Sequence, residues 1–249
     1  MISKEKKIFY KKNGYLKITN FFSDKEIFLL TKYVSEIEKF LPKKGQYMMY
    51  FDNIKNQSVL TRTENFLPYH KKINNFLKKK KITKIIDSLL GQKTLIFKDK
   101  INWKYPNAKG FEPHQDAQVW DYLYPNIKSF ISLAISIDKT NKKNGCLEVV
   151  GGAHKNGLLG NNKSAINKKL VRSFIWKKIT TMPGDFIIFD SYTPHRSGKN
   201  LTKKSRRMIY LTYNAKKDGN LKKKYFDDKR KSFPPNNERD EKKKYKYLI

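Results

Sequence analysis

The feature that most constrains the fold of this chain is a change in hydrophobic period near Thr94. From that residue onward, apolar side chains fall on alternate positions within short segments, and turn signals separate the segments. The clearest of these segments are 95–105, 130–137, 146–150, 186–189 and 207–213. No helical pattern alternates with them, so the order of elements favours a sandwich or barrel over a βαβ sheet.

The segments at 95–105 and 130–137 carry further expectations. In the first, polar side chains alternate with apolar ones, which predicts a strand that is buried on one face. The polar positions are Lys98, Lys100, Asn102 and Lys104. After the second, the turn signal Asn144-Gly145 predicts a hairpin in which 146–150 is the return strand.

The first third of the chain is helical in character. Ser23 followed by Glu26 forms a capping box, and the apolar spacing behind it predicts a helix over about 24–40. A second helical region is predicted over about 71–90, where Gly91 provides the stop signal.

The length of 249 residues and the lack of an internal repeat favour a single domain over residues 1–249. Near the start, Asn13-Gly14 predicts a short hairpin-like entry. The tail from Ala215 onward is polar and is expected to wrap the surface. The expected parts are a helical amino-terminal part over 1–92, a β core over 93–214 and a carboxyl-terminal extension over 215–249.

Positive charge dominates the composition. Lys and Arg number 55 against 22 Asp and Glu, which gives a formal net charge of +33. A polyanion would be attracted to such a protein. The lysines are nevertheless scattered, with short runs at 78–81, 222–224 and 242–244 and no concentration of Arg and aromatic residues on one element. We therefore expect a solvated surface and no specific nucleic acid, with a functional polyanion site as the open alternative.

Cys146 is the only cysteine, so the chain forms no internal disulfide, and a reducing compartment is expected. The first residues carry charge but are followed by no apolar stretch of the kind found in a leader. No segment approaches the roughly 20 apolar residues that a membrane span needs. We expect a cytoplasmic protein with no membrane partner.

Four residues indicate a metal-dependent chemistry. His114 and Asp116 form an H-x-D pair, and if both lie on one strand their side chains leave the same face. A distant histidine, His195, is able to complete one face of an octahedron. Two imidazoles and one carboxylate with open positions opposite them are the ligand set of non-haem Fe(II) oxygenases. Arg206 adds a planar guanidinium that suits a carboxylate ligand.

Motifs across most of the chain resemble the phytanoyl-CoA dioxygenase family of Fe(II)- and 2-oxoglutarate-dependent oxygenases. The resemblance implies a mainly β fold with flanking helices, a double-stranded β-helix or cupin-like jelly roll. The matching motifs are Tyr10-Lys-Lys-Asn-Gly-Tyr15, His114-Gln-Asp116, Asn144-Gly-Cys-Leu-Glu148, Gly151-Gly-Ala-His-Lys155 and His195-Arg-Ser-Gly-Lys-Asn200 with Arg206.

The resemblance also implies roles for individual residues. His114, Asp116 and His195 correspond to the iron ligands, while Arg206 and Ser197 correspond to residues that hold 2-oxoglutarate. Three further candidates for contacts to the co-substrate are Lys104, Asn102 and Gln115. The family often has an aromatic residue where Ala134 stands, which implies a different pocket wall in this chain. Arg207, the strand neighbour of Arg206, is expected to face the opposite side.

Substrate contacts are expected just after the metal motif, at Gln118, Trp120 and Tyr122. Their side chains are candidates for the mouth of the barrel, and core packing is the alternative for the aromatic ones. The segment 109–120, together with 225–235, is similar to the branch of the family that acts on small polar molecules, including aminophosphonates. A phosphonate would suit a cationic mouth.

The implied activity is hydroxylation of a small organic substrate, with O2 and 2-oxoglutarate consumed and succinate and CO2 released. In related halogenases a small residue replaces the carboxylate ligand, so the presence of Asp116 favours hydroxylation. Two alternatives remain at this stage, a catalytically silent jelly-roll binding protein and a basic nucleic-acid-binding module. Iron binding separates the enzyme from the first, and salt-resistant nucleic-acid binding would identify the second.

Overall fold

A computed structural model describes residues 2–127, 129–160 and 166–245 of the chain. Eleven strands occur in these residues: β1 Tyr15–Ile18, β2 Met48–Ile54, β3 Gln57–Glu64, β4 Thr94–Lys104, β5 Phe111–His114, β6 Phe130–Ser136, β7 Leu147–Val149, β8 Lys177–Ile179, β9 Phe186–Asp190, β10 His195–Ser197 and β11 Arg206–Ala215. The α-helices of the described residues are α1 Lys4–Asn13, α2 Asp24–Glu38, α3 Lys71–Leu77, α4 Lys80–Leu90, α5 Ala117–Leu123, α6 Lys168–Ser173 and α7 Lys222–Ser232.

The strands form two antiparallel sheets. The larger sheet has the order β1-β9-β6-β11-β4-β3-β2, and the smaller sheet has the order β5-β10-β7-β8. Side chains of both sheets meet in one apolar cluster, in which Val149 and Ile179 of the smaller sheet pack with Ile187 and Met208 of the larger. The predicted double-stranded β-helix is therefore confirmed.

Helices α2, α3 and α4 cover the outer face of the larger sheet. Val34, Ile73 and Ile82 belong to the same buried cluster as Trp103 and Leu211 of the sheet. This layer closes one side of the larger sheet, so the space between the two sheets is the remaining place for a site. No helix in the described ranges has the length and apolar character needed to cross a membrane.

The amino-terminal helices follow the sequence signals in part. The capping box is confirmed, since the Ser23 hydroxyl accepts from the Glu26 N–H and the Glu26 carboxylate accepts from the Ser23 N–H. The helical region predicted over 71–90 is present as two helices, α3 and α4, which are separated at Lys78 and Lys79. Each helix buries its own apolar residues, which are Ile73, Phe76 and Leu77 in α3 and Ile82, Ile85 and Ile86 in α4.

The hairpin-like entry at Asn13-Gly14 is also wrong. Residues 4–13 form α1, and Gly14 ends it in the left-handed conformation with φ 75°, where its N–H donates to the Tyr10 carbonyl. A real hairpin lies elsewhere, between β2 and β3, and it extends the larger sheet within a part expected to be helical. Its turn residues, Lys55 and Asn56, both have positive φ, as a two-residue hairpin turn requires.

The expectation that β4 is buried on one face is wrong. Lys98, Asn102 and Lys104 are only 7%, 5% and 4% exposed, because the smaller sheet covers the face they occupy.

The prediction that 146–150 returns beside 130–137 is wrong, because the two strands do not pair with each other. β7 pairs with β8 and β10 of the smaller sheet, while β6 pairs with β9 and β11 of the larger, so the turn at 144–145 carries the chain from one sheet to the other.

The carboxyl-terminal extension does more than wrap the surface. Helix α7 buries Tyr225 and Phe226. It also brings Lys229 to Glu64 at the end of β3, where the two atoms Nζ and Oε2 lie 2.6 Å apart. Arg62 Nε lies 2.9 Å from the other oxygen of Glu64. Burial favours the protonated form of Glu64, but Lys229 and the cations around it outweigh that effect and lower its pKa.

We expect Glu64→Gln to destabilise the fold strongly. The substitution leaves Arg62 and Lys229 inside the protein without their shared carboxylate, and breaking a buried ion pair from one side costs about 3–5 kcal/mol. Urea unfolding followed by circular dichroism measures the change. The matched control is Asp227→Asn, which removes the carboxylate of an exposed pair with Lys223 on the same helix and should have a much smaller effect. Equal effects of the two substitutions would contradict the network.

Candidate active site

Two histidines are brought together by strand pairing in the smaller sheet. His114 is the last residue of β5 and His195 is the first of β10, and they are direct partners in the antiparallel register. Side chains of directly opposed residues leave the same face of a sheet. Their ring centroids are consequently 4.1 Å apart, and both residues are 6% exposed.

Asp116 reaches the same point by a different route from the one predicted. It does not lie on the strand with His114, since its φ of −56° and ψ of −33° are helical and it occupies the N-cap position of α5. The backbone turns there because the N–H of Ala117 donates to the carbonyl of Ser191. Asp116 Oδ1 lies 3.9 Å from His195 Nε2, and the ligating atoms of the three residues all lie within 4.8 Å of one another.

Neighbouring groups orient each of the three side chains. His114 Nδ1 is 2.6 Å from the carbonyl of Glu112, and His195 Nδ1 is 3.0 Å from the carbonyl of Thr193. Since a carbonyl only accepts, each Nδ1 carries the proton and each Nε2 presents a lone pair. The Ser132 hydroxyl donates to Asp116 Oδ2 at 3.0 Å. Such outer contacts are the usual way in which metal ligands are held in one orientation.

The charge state of these residues also suits a cation. Burial, assisted by the neighbouring His195, lowers the pKa of His114 to about 3, and burial lowers the pKa of His195. Both rings are therefore neutral at neutral pH. Burial favours the protonated form of Asp116, but the basic groups around it, which are the two histidines, Lys98 and Lys100, outweigh that effect and lower its pKa. Two neutral imidazoles and one carboxylate are a donor set that fits a divalent iron ion.

A pocket between the two sheets opens beside these three residues. Its wall combines polar and aromatic side chains from both sheets. It is lined by Lys98, Lys100, Asn102, Phe111, His114, Asp116, Ser132, Leu147, Phe189, His195, Arg196, Ser197, Tyr210 and Thr212. Five of the residues named from the sequence as metal or co-substrate contacts are thus on the wall, namely Asn102, His114, Asp116, His195 and Ser197.

Arg206 is buried, and neither it nor Lys104 is among the residues that line the pocket. Its guanidinium donates to the carbonyls of Asn144 and Gly145. Lys104 is its direct partner on β4, and Lys104 Nζ lies 2.9 Å from Ser197 Oγ. Loss of hydration and the nearby Arg206 lower the pKa of Lys104 to about 7. Arg206 and Lys104 therefore form a basic corner next to Ser197, which lines the pocket.

Arg207 faces the opposite side of the sheet, as strand alternation predicts. Its Nε and backbone N–H both lie 2.8 Å from Asp138 Oδ2, and one terminal nitrogen lies 3.0 Å from Ser35 Oγ of α2. Arg207 therefore ties the sheet to its outer helical layer and has no contact with the pocket.

Gln115 and Gln118 have their polar groups engaged within the protein. Gln115 Nε2 donates to the carbonyls of Gly157 and Tyr192, and its Oε1 accepts from the N–H of Leu159. Gln118 Oε1 accepts from the Gln115 N–H. Both side chains hold loops next to the metal motif, and neither is on the pocket wall.

The aromatic residues expected at the mouth lie elsewhere. Trp120 is 2% exposed and packs against the rings of Phe97 and Phe130, in the core between α5 and α7. Tyr122 is 50% exposed on α5. Neither lines the pocket, so the alternative of core packing describes Trp120.

Several wall residues were not identified from the sequence as site residues. Lys98, Lys100, Tyr210 and Thr212 stand on the inner face of the two central strands of the larger sheet. The polar side chains of β4, Lys98 and Lys100 among them, were expected on the exposed face of a half-buried strand, and no role was predicted for Tyr210 or Thr212 of β11. The signal that would have identified them is the continuation of the Asn102 face along β4, because every second residue of a strand shares a face.

Comparison with known proteins agrees with this architecture. The family described as phytanoyl-CoA dioxygenase (PhyH) matches residues 10–208. The solved structure of EctD from S. alaskensis with 2-oxoglutarate and 5-hydroxyectoine superposes with a TM-score of 0.76 at 20% identity, and the match covers 86% of this chain and 76% of that one. This likeness concerns the fold alone.

Two curated relatives span nearly the whole chain. A 2-aminoethylphosphonate dioxygenase of Uncultured bacterium HF130_AEPn_1 is 35% identical over 98% of this chain and 93% of its own length. A methylphosphonate hydroxylase of Gimesia maris is 34% identical over 90% of this chain and 85% of its own length. With the family match over 10–208 and the three-residue site in place, the chain belongs to the phytanoyl-CoA dioxygenase family and is a 2-oxoglutarate-dependent dioxygenase.

Proposed function

We propose that this dioxygenase hydroxylates a small organophosphonate, with Fe(II) as its metal and O2 and 2-oxoglutarate as co-substrates. The observation that carries the proposal is a pocket in which His114, Asp116 and His195 stand opposite Lys98 and Lys100. Two relatives with about a third of their residues identical are named for 2-aminoethylphosphonate and methylphosphonate. A polar, cationic pocket of this kind suits a small anion better than a fatty acyl chain.

The chain's own residues would bind and orient the reacting groups. His114 Nε2, His195 Nε2 and a carboxylate oxygen of Asp116 would hold Fe(II) from one side and leave positions open on the pocket side. When bound, Fe(II) supplies the redox chemistry that couples decarboxylation of 2-oxoglutarate to hydroxylation of a C–H bond. Thr212 Oγ1 lies 3.1 Å from Ser132 Oγ, and Ser132 in turn donates to Asp116, which fixes that carboxylate in place.

The basic corner would hold 2-oxoglutarate. Arg206 offers a planar fork for the carboxylate that is distant from the metal, and Ser197 and Lys104 stand beside it. Asn102 lies on the pocket wall between this corner and the metal ligands, as a further polar contact. Gln115 would act indirectly, by holding the loop at Gly157 and Tyr192.

The proposal is tested by a substrate screen. Succinate formation is measured with Fe(II), O2 and 2-oxoglutarate, in the presence of methylphosphonate, 2-aminoethylphosphonate or the corresponding carboxylates. We expect the phosphonates to stimulate turnover, with one hydroxylated product per succinate. No Fe(II) binding at all would support the catalytically silent alternative, and stimulation by the carboxylates alone would contradict the substrate class.

Loss of any one metal ligand should abolish activity. We expect His114→Ala, Asp116→Ala and His195→Ala to fold, and each to lose turnover by at least about 100-fold, because only three protein groups hold the ion. Succinate assays measure turnover and calorimetry with Fe(II) measures metal binding under nitrogen. The control is His154→Ala, since this histidine contacts the Lys11 carbonyl away from the pocket. Full activity in a ligand variant would remove that residue from the site.

Arg206 and Arg207 provide a test of the co-substrate site with matched substitutions. Arg206→Lys keeps the charge and loses the fork, so we expect the 2-oxoglutarate concentration for half-maximal rate to rise about tenfold or more. Arg207→Lys changes an arginine bound to Asp138 on the outer face and should leave that concentration nearly unchanged. Steady-state kinetics at varied 2-oxoglutarate measure this concentration for both variants. A rise in Arg207→Lys and not in Arg206→Lys would place the co-substrate on the other face of the sheet.

The positive charge is proposed to have no specific nucleic-acid partner, because the lysines outside the pocket are dispersed and accompany no recognition element. A protein of charge +33 is expected to bind DNA weakly at low salt. Binding through several phosphates falls about a thousandfold or more between 50 and 200 mM salt. Fluorescence anisotropy with DNA and RNA at 150 mM salt should show no binding below about 1 μM protein; tight binding there would contradict us.

The free Cys146 supports a reducing, cytoplasmic location.

A further inference from the structure

The two lysines of the pocket wall occupy an unusual environment. Lys98 is 7% exposed, and its Nζ lies 5.2 Å from the ring centroid of Trp120 and 5.5 Å from that of Tyr225. Lys100 is half-buried, with its Nζ 5.4 Å from the ring of Phe111 and 5.0 Å from that of Tyr210. Aromatic faces attract a cation, but they do not neutralise it.

The nearest carboxylates are committed to other cations. Glu64 is the partner of Lys100 in the register of β3 and β4, yet one of its oxygens is taken by Arg62 and the other by Lys229. Asp116 belongs to the metal site. Among residues 2–127, 129–160 and 166–245, neither Lys98 nor Lys100 forms an ion pair.

This arrangement leaves more positive than negative charge on this part of the inner face, because the carboxylates of Glu64 and Asp116 are shared with other groups. A buried cation that is not paired is costly, and the protein either deprotonates it or supplies an anion. Loss of hydration and the neighbouring Lys98 lower the pKa of Lys100 to about 7, although Glu64 and Asp116 act in the opposite direction. A ligand with two negative charges, bound against both ammonium groups, would remove the imbalance.

The position of the lysines separates this ligand from 2-oxoglutarate. Lys98 is the register partner of Thr212, which contacts Ser132, and Ser132 contacts Asp116. Lys98 therefore stands at the level of the metal ligand Asp116. The pair Lys104 and Arg206 lies six residues further along the strands than the pair Lys98 and Thr212, so the backbones of Lys98 and Lys104 are about 20 Å apart at roughly 3.4 Å per residue. Lys98 and Lys100 line the pocket, whereas Lys104 and Arg206 lie beside its wall residue Ser197.

We propose that Lys98 and Lys100 form the subsite for the phosphonate group of the substrate, on the Asp116 side of the metal site and apart from the co-substrate corner at Arg206. The inference rests on the proposed function and deepens it. Two ammonium groups on alternate residues of one strand would each donate to a different oxygen of the tetrahedral dianion. The carbon attached to phosphorus would then lie next to the metal ligands.

The test measures binding of two ligands to the same variants. The protein is loaded with Fe(II) without oxygen, and calorimetry gives the Kd for methylphosphonate with 2-oxoglutarate present, and for 2-oxoglutarate by itself. We expect Lys98→Gln and Lys100→Gln each to raise the Kd for methylphosphonate about 10- to 100-fold. The Kd for 2-oxoglutarate should change far less. Arg206→Lys should give the opposite pattern, and Lys203→Gln, an exposed lysine, should change neither.

Thermal unfolding shows whether a variant that has lost affinity is still folded. Removing an unpaired buried cation should leave Tm unchanged or raise it, so Lys98→Gln should fold at least as well as the unaltered protein. Methylphosphonate should raise the Tm of the unaltered protein and not that of Lys98→Gln. If Lys98→Gln does not fold, the same comparison is made on Lys100→Gln.

Two outcomes would overturn the subsite. One is an unchanged Kd for methylphosphonate in both lysine variants, and the other is a loss of 2-oxoglutarate binding in place of phosphonate binding. The proposed function fails separately, if phosphonates bind in a Lys98-dependent way but are never hydroxylated. Conversely, hydroxylation of phosphonates with no dependence on either lysine would keep the function and reject the subsite.

Discussion

The direct pairing of His114 with His195 across the smaller sheet is the contact on which the site depends. Strand pairing fixes both backbones, and each ring is then held by a hydrogen bond from Nδ1 to a nearby carbonyl. The third residue, Asp116, does not lie on a paired strand. Its position depends on the turn into α5 and on the hydrogen bond from the Ser132 hydroxyl. Two ligands are thus set by the sheet and one by a loop, so an altered turn at Asp116 would disturb the metal geometry before it disturbed the fold.

The larger sheet carries buried charged side chains, and their positions affect both the stability of the fold and the binding of anions in the pocket. Glu64 draws Arg62 and Lys229 into one buried network, and Lys229 comes from the carboxyl-terminal helix. The helix therefore closes the β3 side of the inner face and takes up the carboxylate that Lys100 would otherwise meet. Because that carboxylate is used for packing, positive charge stays available in the pocket. The same network stabilises the fold and keeps the pocket receptive to anions.

Alternation along the chain was sufficient for a sandwich or barrel, and the family resemblance added the jelly roll. The H-x-D motif and His195 pointed to three residues that the fold brings within 4.8 Å of one another. Arg206 was preferred to Arg207 because its spacing from His195 resembles the family pattern, and strand alternation then placed Arg207 on the opposite face. Other features depend on distant parts of the chain. Alternation along β4 shows that Lys98 and Lys104 share a face, but it does not show that a second sheet covers that face. The β2–β3 hairpin was missed because its turn, Lys55-Asn56, carries no glycine.

Ala134 illustrates how the structure resolves a departure from the family pattern. It is fully buried on β6, and its register partner on β11 is Tyr210, whose ring lines the pocket. A methyl group at this position leaves room for the larger ring beside it, which conserves the packed volume of the wall. The aromatic surface is thus supplied from the neighbouring strand. Lys100 Nζ lies 5.0 Å from the centroid of the Tyr210 ring, so the side chain that fills this part of the wall also contacts one of the two lysines proposed to bind the phosphonate group.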